Sequence, residues 1–384
     1  MRFEFATATR ILFGPGTLRE AAPLVREIGK GAFVVTGGNS SRAEPLLSAL
    51  SAAQIRCATF AVAGEPTTTI VREGTQRARE ADSDVVIAIG GGSVIDAGKA
   101  IAAFATNPGE LLDYLEVIGK GRSLERAPLP FVAIPTTAGT GTEVTRNAVL
   151  ASPEHRVKAS LRSPLILAKL AVVDPELTLA LPAALTASTG LDALTQLIEP
   201  FVSCRANPMT DGICREGMVR VARSLRRACQ QPDDLAARED MAAASLFSGL
   251  ALANAGLGAV HGFAAPIGGM FPAPHGAVCA ALLPYVMEVN LRVLRLRQPN
   301  GGVLKRFDEV ARLLMGKPDA EADSGVRWVQ ELCAALKISP LRTYGLTQAD
   351  TGAVCAKAAQ ASSMKANPLP LLPDELEEIL SRAL

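Results

Sequence analysis

Short apolar runs rich in β-branched residues alternate with amphipathic stretches through the first half of the chain. Residues 31–36, 57–62, 84–89, 131–134 and 170–173 read as strands, with helices over residues 68–81 and 94–106. Strands without polar alternation are buried on both faces, and strands alternating with helices imply a parallel sheet covered on each side. From Pro182 onward, Ala- and Leu-rich helical periodicity takes over, at residues 182–199, 210–230, 235–255, 303–314 and 325–336. The pattern predicts an α/β domain over residues 1–181 and an all-helical domain over residues 182–384, divided at Leu181-Pro182.

One stretch departs from ordinary amphipathicity. Residues 241–287 contain no Asp, Glu, Lys or Arg. A bilayer span needs about 20 continuous apolar residues. This run is broken by Asn254, His261, Pro266, Pro272, Pro274, His275, Pro284 and seven glycines, so it reads as buried helices rather than a membrane segment. Composition points the same way, since 48% hydrophobic and 20% charged residues exclude disorder. A net charge of +1 leaves no electrostatic footprint for nucleic acid or an anionic membrane. Seven cysteines without a CxxC pair exclude a zinc ribbon and a disulfide framework. Residues 1–16, with Arg2, Glu4 and Arg10, lack the apolar core of a signal peptide. The expected compartment is the cytoplasm.

Three loops follow predicted strands. Gly90-Gly91-Gly92-Ser93 joins a strand to a helix, where missing side chains and free helix N–H groups suit a phosphate; a plain tight turn is the competing reading. It is not a Walker A loop. Gly98-Lys99 comes one residue too late after Gly92, and Ala100 stands where a magnesium-binding hydroxyl belongs. The second loop, residues 134–145, crowds threonines around Gly139 and Gly141, for phosphate or ribose oxygens or for local backbone bonds. The third, Thr36-Gly37-Gly38-Asn39-Ser40-Ser41-Arg42, has no acidic residue to bond a ribose 2′-hydroxyl. A 2′-phosphate, and hence NADP(H), is admitted there, unless Arg42 is simply a solvated helix residue.

The chain has three histidines, and two of them, His261 and His275, lie in the charge-free run. Upstream, Asp192 interrupts an apolar helical face, with Gln196 one turn further on. A buried unpaired carboxylate is costly, and a cation held by Asp192 and two imidazoles removes that cost, as Zn²⁺ or Fe²⁺. The alternative is that Asp192 caps or pairs locally and each histidine is satisfied in the core.

Taken in order, these segments resemble the iron-containing (group III) alcohol dehydrogenase family over nearly the whole chain. The likeness runs through Ile11-Leu12-Phe13-Gly14-Pro15-Gly16, Gly64-Glu65-Pro66-Thr67 and the triple-glycine loop with Asp96 and Lys99. It continues through residues 135–145 (PTTAGTGTEVT), Lys158 and Val173-Asp174-Pro175. Residues 186–199 (TASTGLDALTQLIE), residues 259–276 (AVHGFAAPIGGMFPAPHG) and Ser363-Met364-Lys365-Ala366-Asn367-Pro368 complete it. The resemblance implies a dehydroquinate synthase-like architecture: an NAD(P)-binding α/β domain with a parallel sheet, an all-α second domain and a divalent metal, Fe²⁺ or Zn²⁺, in the cleft between them. The implied metal ligands fall on Asp192, His261 and His275, with Gln196 where the family commonly has a third histidine and Ala265 where a further one is common. Coenzyme contacts fall on Gly91, Gly92, Ser93, Thr136, Thr137, Thr140 and Lys158, with Gly37, Gly38, Asp96 and Thr145 completing the set. Members preferring NAD often carry Asp in place of Gly37, so the resemblance favours NADP(H).

The implied activity is reversible, metal-assisted hydride transfer between NAD(P)(H) and a small alcohol, aldehyde or ketone. His275 would share in proton transfer and Lys158 would contact the ribose or pyrophosphate. Phe263, Met270 and Phe271 suggest an apolar substrate pocket. A homodimer or larger homo-oligomer is expected. The rival readings are a metal-independent oxoacid reductase like maleylacetate reductase, a lyase like 3-dehydroquinate synthase, and a nucleotide-binding protein without turnover.

Overall fold

The computed structural model describes residues 2–155 and 157–384. Six apolar runs form one parallel sheet: β1 (Ile11–Phe13), β2 (Gly31–Gly37), β3 (Arg56–Val62), β4 (Val85–Gly90), β5 (Phe131–Pro135) and, after a separate hairpin of β6 (Asn147–Ser152) and β7 (Val157–Arg162), β8 (Leu170–Val173). The sheet order is β1-β8-β5-β4-β2-β3. Val34, Ile87, Ile89, Val132 and Ile134 enter a core with Leu46 and Leu50 on one face. The alternate residues Phe33, Val35, Val86 and Ala88 are equally buried, which is why these strands show no polar alternation. From β2 the chain steps outward to the edge strand β3, then returns to β4 on the other side of β2. The direction of winding reverses between β2 and β4, and such a switch point opens a crevice at the strand C-termini.

The helix Gly92–Thr106 packs tightly on this sheet. A Cβ on Gly98 would lie 2.7 Å from Ala88 Cβ and 2.8 Å from the Phe131 ring. The β6–β7 hairpin is absent from the expected strands. Its residues alternate between buried and half-buried, but much of the apolar signal comes from alanines, which carry little strand propensity. This compact unit comprises Ala6–Thr137 and Gly141–Leu179.

The second unit comprises Ala180–Leu384, with Ala138–Thr140 and the first residues of the chain. It is helical throughout its main part. In the helix Ala183–Val202 every side chain from Gly190 to Val202 is buried. Helix Pro208–Gln230 begins at a capping box between Asn207 and Thr210, with Pro208 at the first helical position. Helices Leu235–Ala255 and Ala259–Met270 meet at a 100° bend, where Gly256 takes a φ of +73° that other residues adopt only with strain. The helix His275–Arg297 is long and apolar enough to cross a membrane, but 83% of its apolar window is buried inside the protein. The charge-free run is thus the core of the helical unit.

One ion-pair network ties two of these helices. Asp240 accepts from Arg223 at 2.6 Å, from Arg220 at 3.0 Å and from Ser224. Burial favours the neutral acid, but these donors outweigh it and hold the Asp240 carboxyl below its ordinary pKa. A depressed folded pKa contributes stability above the unfolded value, near pH 4, that is lost as pH falls through the folded value. Asp240→Asn is expected to cost about 1–3 kcal/mol at pH 7. Urea unfolding should show that difference shrinking as pH falls below the ordinary carboxylate range; a deficit constant across this range would remove the charge from the explanation.

Candidate functional site

Asp192 projects from the middle of the helix Ala183–Val202 and is 1% exposed. Neither carboxylate oxygen receives a hydrogen bond of normal geometry, and Gln196 Oε1 is likewise buried without a partner. Two turns beyond Asp192, Glu199 faces the start of the helix Ala259–Met270. Its Oε1 accepts the Val260 N–H at 2.7 Å, and its Oε2 lies 2.7 Å from His261 Nδ1. Asn367 accepts the neighbouring Ala259 N–H. Gly258 must lack a side chain, because a Cβ there would stand 2.9 Å from Glu199 Oε1 and 3.0 Å from Asn367 Oδ1. His261 Nδ1 thus faces Glu199, and its Nε2 is turned toward Asp192 Oδ1, 3.4 Å away.

The next helix supplies the rest. His275 opens His275–Arg297, and Cys279 follows one turn later on the same face. His275 Nε2 lies 3.7 Å from Asp192 Oδ1, and Cys279 Sγ lies 3.7 Å from the Nε2 atoms of both histidines. One donor atom from each of Asp192, His261, His275 and Cys279 falls within 4.8 Å of the others. The His275 side chain is 36% exposed, whereas those of Asp192 and His261 are closed off. Burial would raise the Asp192 carboxyl, but His275, His261 and the Gln196 amide bring it down to about 2. Burial opposes a charge on His261, but Cys279, Glu199 and Asp192 raise its pKa well above the ordinary imidazole value. Burial pushes the Cys279 thiol up to about 12.

The structure brings the expected Asp192, His261 and His275 together and adds Cys279 and Glu199, which were not expected, while Gln196 is buried with its Oε1 unpartnered. Neither stands out in the sequence: Cys279 lies at i+4 from His275 inside an apolar run, and Glu199 at i+7 from Asp192. Asp192 is not capped within its own helix; its polar neighbours are His261 and His275, at 3.4 and 3.7 Å. The donor set, with orphaned carboxylate oxygens beside imidazole nitrogens, fits a divalent transition metal. Of the suggested pocket residues, Phe263 is fully buried in the helical core, so only Met270 and Phe271 have surface to offer.

In the sheet unit, the three loops lie at the C-terminal ends of adjacent strands. Gly37 ends β2 and Gly38 follows it. Gly91, Gly92 and Ser93 follow β4, and Thr136 and Thr137 follow β5. The helix after Gly91 has no side-chain cap and no acidic residue in its first turn, leaving its N-terminal N–H groups and positive dipole end available to an anion. Asp96 and Thr145 are engaged within the loop. Asp96 accepts from Thr142 Oγ1 at 2.6 Å and from Val149 N–H at 3.0 Å. Lys99, fully buried and lowered to about 8 by burial, donates to Thr142, Thr145 and Asn147. Lys158, on β7, pairs with Glu65 at 3.0 Å. Thr140 belongs to the other unit, in a segment where Gly139 O accepts from Ser248 at 3.3 Å.

A parallel sheet wound for a dinucleotide and a helical unit with a clustered Asp, two His and a Cys define a nucleotide-dependent, metal-site architecture. The iron-containing alcohol dehydrogenase family model matches residues 8–175, and that family's C-terminal model matches residues 186–384. The chain belongs to the iron-containing alcohol dehydrogenase family. It is 38% identical to long-chain-alcohol dehydrogenase 1 of Geobacillus thermodenitrificans (strain NG80-2), over 80% of this chain and 76% of that one. A crystal structure of 1,3-propanediol oxidoreductase superimposes with a TM-score of 0.92 at 33% identity, covering 100% of both chains. Sulfoacetaldehyde reductase from Bifidobacterium kashiwanohense, solved in complex with NAD⁺, gives a TM-score of 0.87 at 27% identity, over 99% of this chain and 98% of that one.

Proposed function

We propose that the chain catalyses reversible hydride transfer between NADP(H) and a small, apolar alcohol or aldehyde, assisted by Zn²⁺ or Fe²⁺ at Asp192, His261 and His275. As a member of its family, the chain is an alcohol oxidoreductase. The observation that carries the metal-assisted reading is the pair of Asp192 oxygens, buried without hydrogen-bond partners beside two imidazole nitrogens. It favours this reading over a metal-independent oxoacid reductase. A divalent cation held there supplies Lewis-acid chemistry toward the substrate oxygen, and the nicotinamide supplies or takes the hydride.

The chain's own groups do the remainder. Gly91, Gly92 and Ser93 bind the pyrophosphate through backbone N–H groups, with Thr136, Thr137 and Thr140 as further polar contacts. Asp96, Thr145 and Lys99 fix the loop from within. Lys158, oriented by Glu65, contacts the ribose or pyrophosphate. Gly37 and Gly38 leave room at the end of β2 for the adenosine ribose, and Arg42, exposed nearby, supports NADP(H) over NAD(H). Glu199 keeps His261 in the tautomer that presents Nε2. His275, the exposed member of the cluster, shares in moving the alcohol proton. Met270 and Phe271, with no Arg or Lys in residues 241–287, favour uncharged substrates. A homodimer or larger assembly in the cytoplasm is the setting we propose, with the seven free cysteines supporting a reducing compartment.

The test is turnover of NADPH and NADH over a panel of short aldehydes, using protein stripped with chelator and then supplied with Zn²⁺ or Fe²⁺. NADPH-dependent reduction that disappears with chelator and returns with metal is the expected result. Full activity in chelator would contradict the metal assignment, and no turnover with any aldehyde would contradict the substrate class.

A further inference from the structure

We propose that Cys279 Sγ, rather than Gln196 Oε1, is the fourth protein ligand at this site. Asp192, His261, His275 and Cys279 then form a near-tetrahedral set of one oxygen, two nitrogens and one sulfur that suits Zn²⁺, and a substrate oxygen would be its fifth ligand. The inference rests on the metal reading above and departs from the ligand set implied by the resemblance.

The geometry is the main reason. Zinc binds nitrogen at about 2.0–2.1 Å, carboxylate oxygen at about 2.0–2.2 Å and thiolate sulfur at about 2.3 Å. A tetrahedron with those arms has N···O edges of about 3.4 Å and N···S edges of about 3.6 Å. The two N···O separations to Asp192 Oδ1 are 3.4 Å from His261 and 3.7 Å from His275, and both N···S separations are 3.7 Å. All four donor atoms lie within 4.8 Å of one another. Four of the six edges therefore match a zinc tetrahedron to within about 0.3 Å.

Two further observations point to a cation rather than to chance proximity. The Asp192 oxygens are buried with no hydrogen-bond partner, and they belong to the same cluster as the sulfur. The helix His275–Arg297 delivers His275 and Cys279 from one face, at the i, i+4 spacing that lets two side chains share one ion. The thiol proton passes to solvent as the metal enters. A thiolate donor favours zinc or cobalt over a hard cation.

The test is zinc-edge X-ray absorption on the full-length protein loaded with one equivalent of Zn²⁺, paired with the visible and near-ultraviolet spectrum of the Co²⁺ form. One sulfur at about 2.3 Å and a thiolate-to-cobalt charge-transfer band are expected. Cys279→Ala should abolish both and weaken Zn²⁺ affinity by about 100-fold or more, while Gln196→Ala should retain both. A wild-type protein that binds one zinc through nitrogen and oxygen alone would overturn the Cys279 assignment and leave the metal site standing. A wild-type protein that binds no stoichiometric zinc or cobalt would overturn both. A sulfur signal persisting in Cys279→Ala would point to another cysteine, such as the exposed Cys57 or Cys204, and would also overturn the assignment.

Discussion

Asp192→Asn is expected to empty the helical site of metal and to lower kcat for aldehyde reduction by about 1,000-fold or more, with the fold retained. The substitution changes almost no volume at a buried position of this helix, so the surrounding packing is kept. What it removes is the one fixed anionic oxygen donor between His261 and His275. Losing Lewis-acid assistance of about 4 kcal/mol corresponds to about three orders of magnitude in rate. The substitution leaves the glycine and threonine loops that take the coenzyme unchanged, so the KM for NADPH should change by no more than about twofold. Metal analysis with steady-state kinetics checks both halves. A variant that keeps its metal and loses activity would make Asp192 important for another reason.

Gly37→Asp is expected to raise the KM for NADPH by about 100-fold while leaving NADH turnover unchanged or improved. A carboxylate at the end of β2 bonds a ribose 2′-hydroxyl and repels a 2′-phosphate. Repulsion of about 3 kcal/mol is reasonable for charges about 4–5 Å apart at a surface crevice, and is about 100-fold in affinity. The site accepts a side chain. A Cβ on Gly37 meets nothing closer than Val94 Cγ2 at 3.8 Å, and Gly37 is not among the positive-φ residues. Kinetics with both coenzymes measure the ratio. An unchanged preference would place the adenosine ribose elsewhere than this turn.

Much of the fold was legible because its signals are local. The buried strands announce themselves as unbroken apolar runs, and the helix Leu235–Ala255 matches its expected bounds because Asp234 caps it and Gly256 ends it. The β6–β7 hairpin escaped because alanines and serines give a half-buried strand little contrast. At the site, Asp192 was visible as a charge in an apolar stripe. Cys279 was not, because a cysteine in an apolar run reads as a small core residue until a neighbouring helix brings His261 to it. Glu199 was hidden for a similar reason: its partners, His261 Nδ1 and the Val260 N–H, lie more than 60 residues further along the chain.

The central claim is that Asp192, His261 and His275 hold one divalent cation on which turnover depends. Crystals of the active protein grown with Zn²⁺ and measured at the zinc edge test it directly. One anomalous peak per chain is expected, about 2.0–2.2 Å from an Asp192 oxygen and from Nε2 of both histidines. An active protein with no peak there, or with its zinc bound at another position, would contradict it.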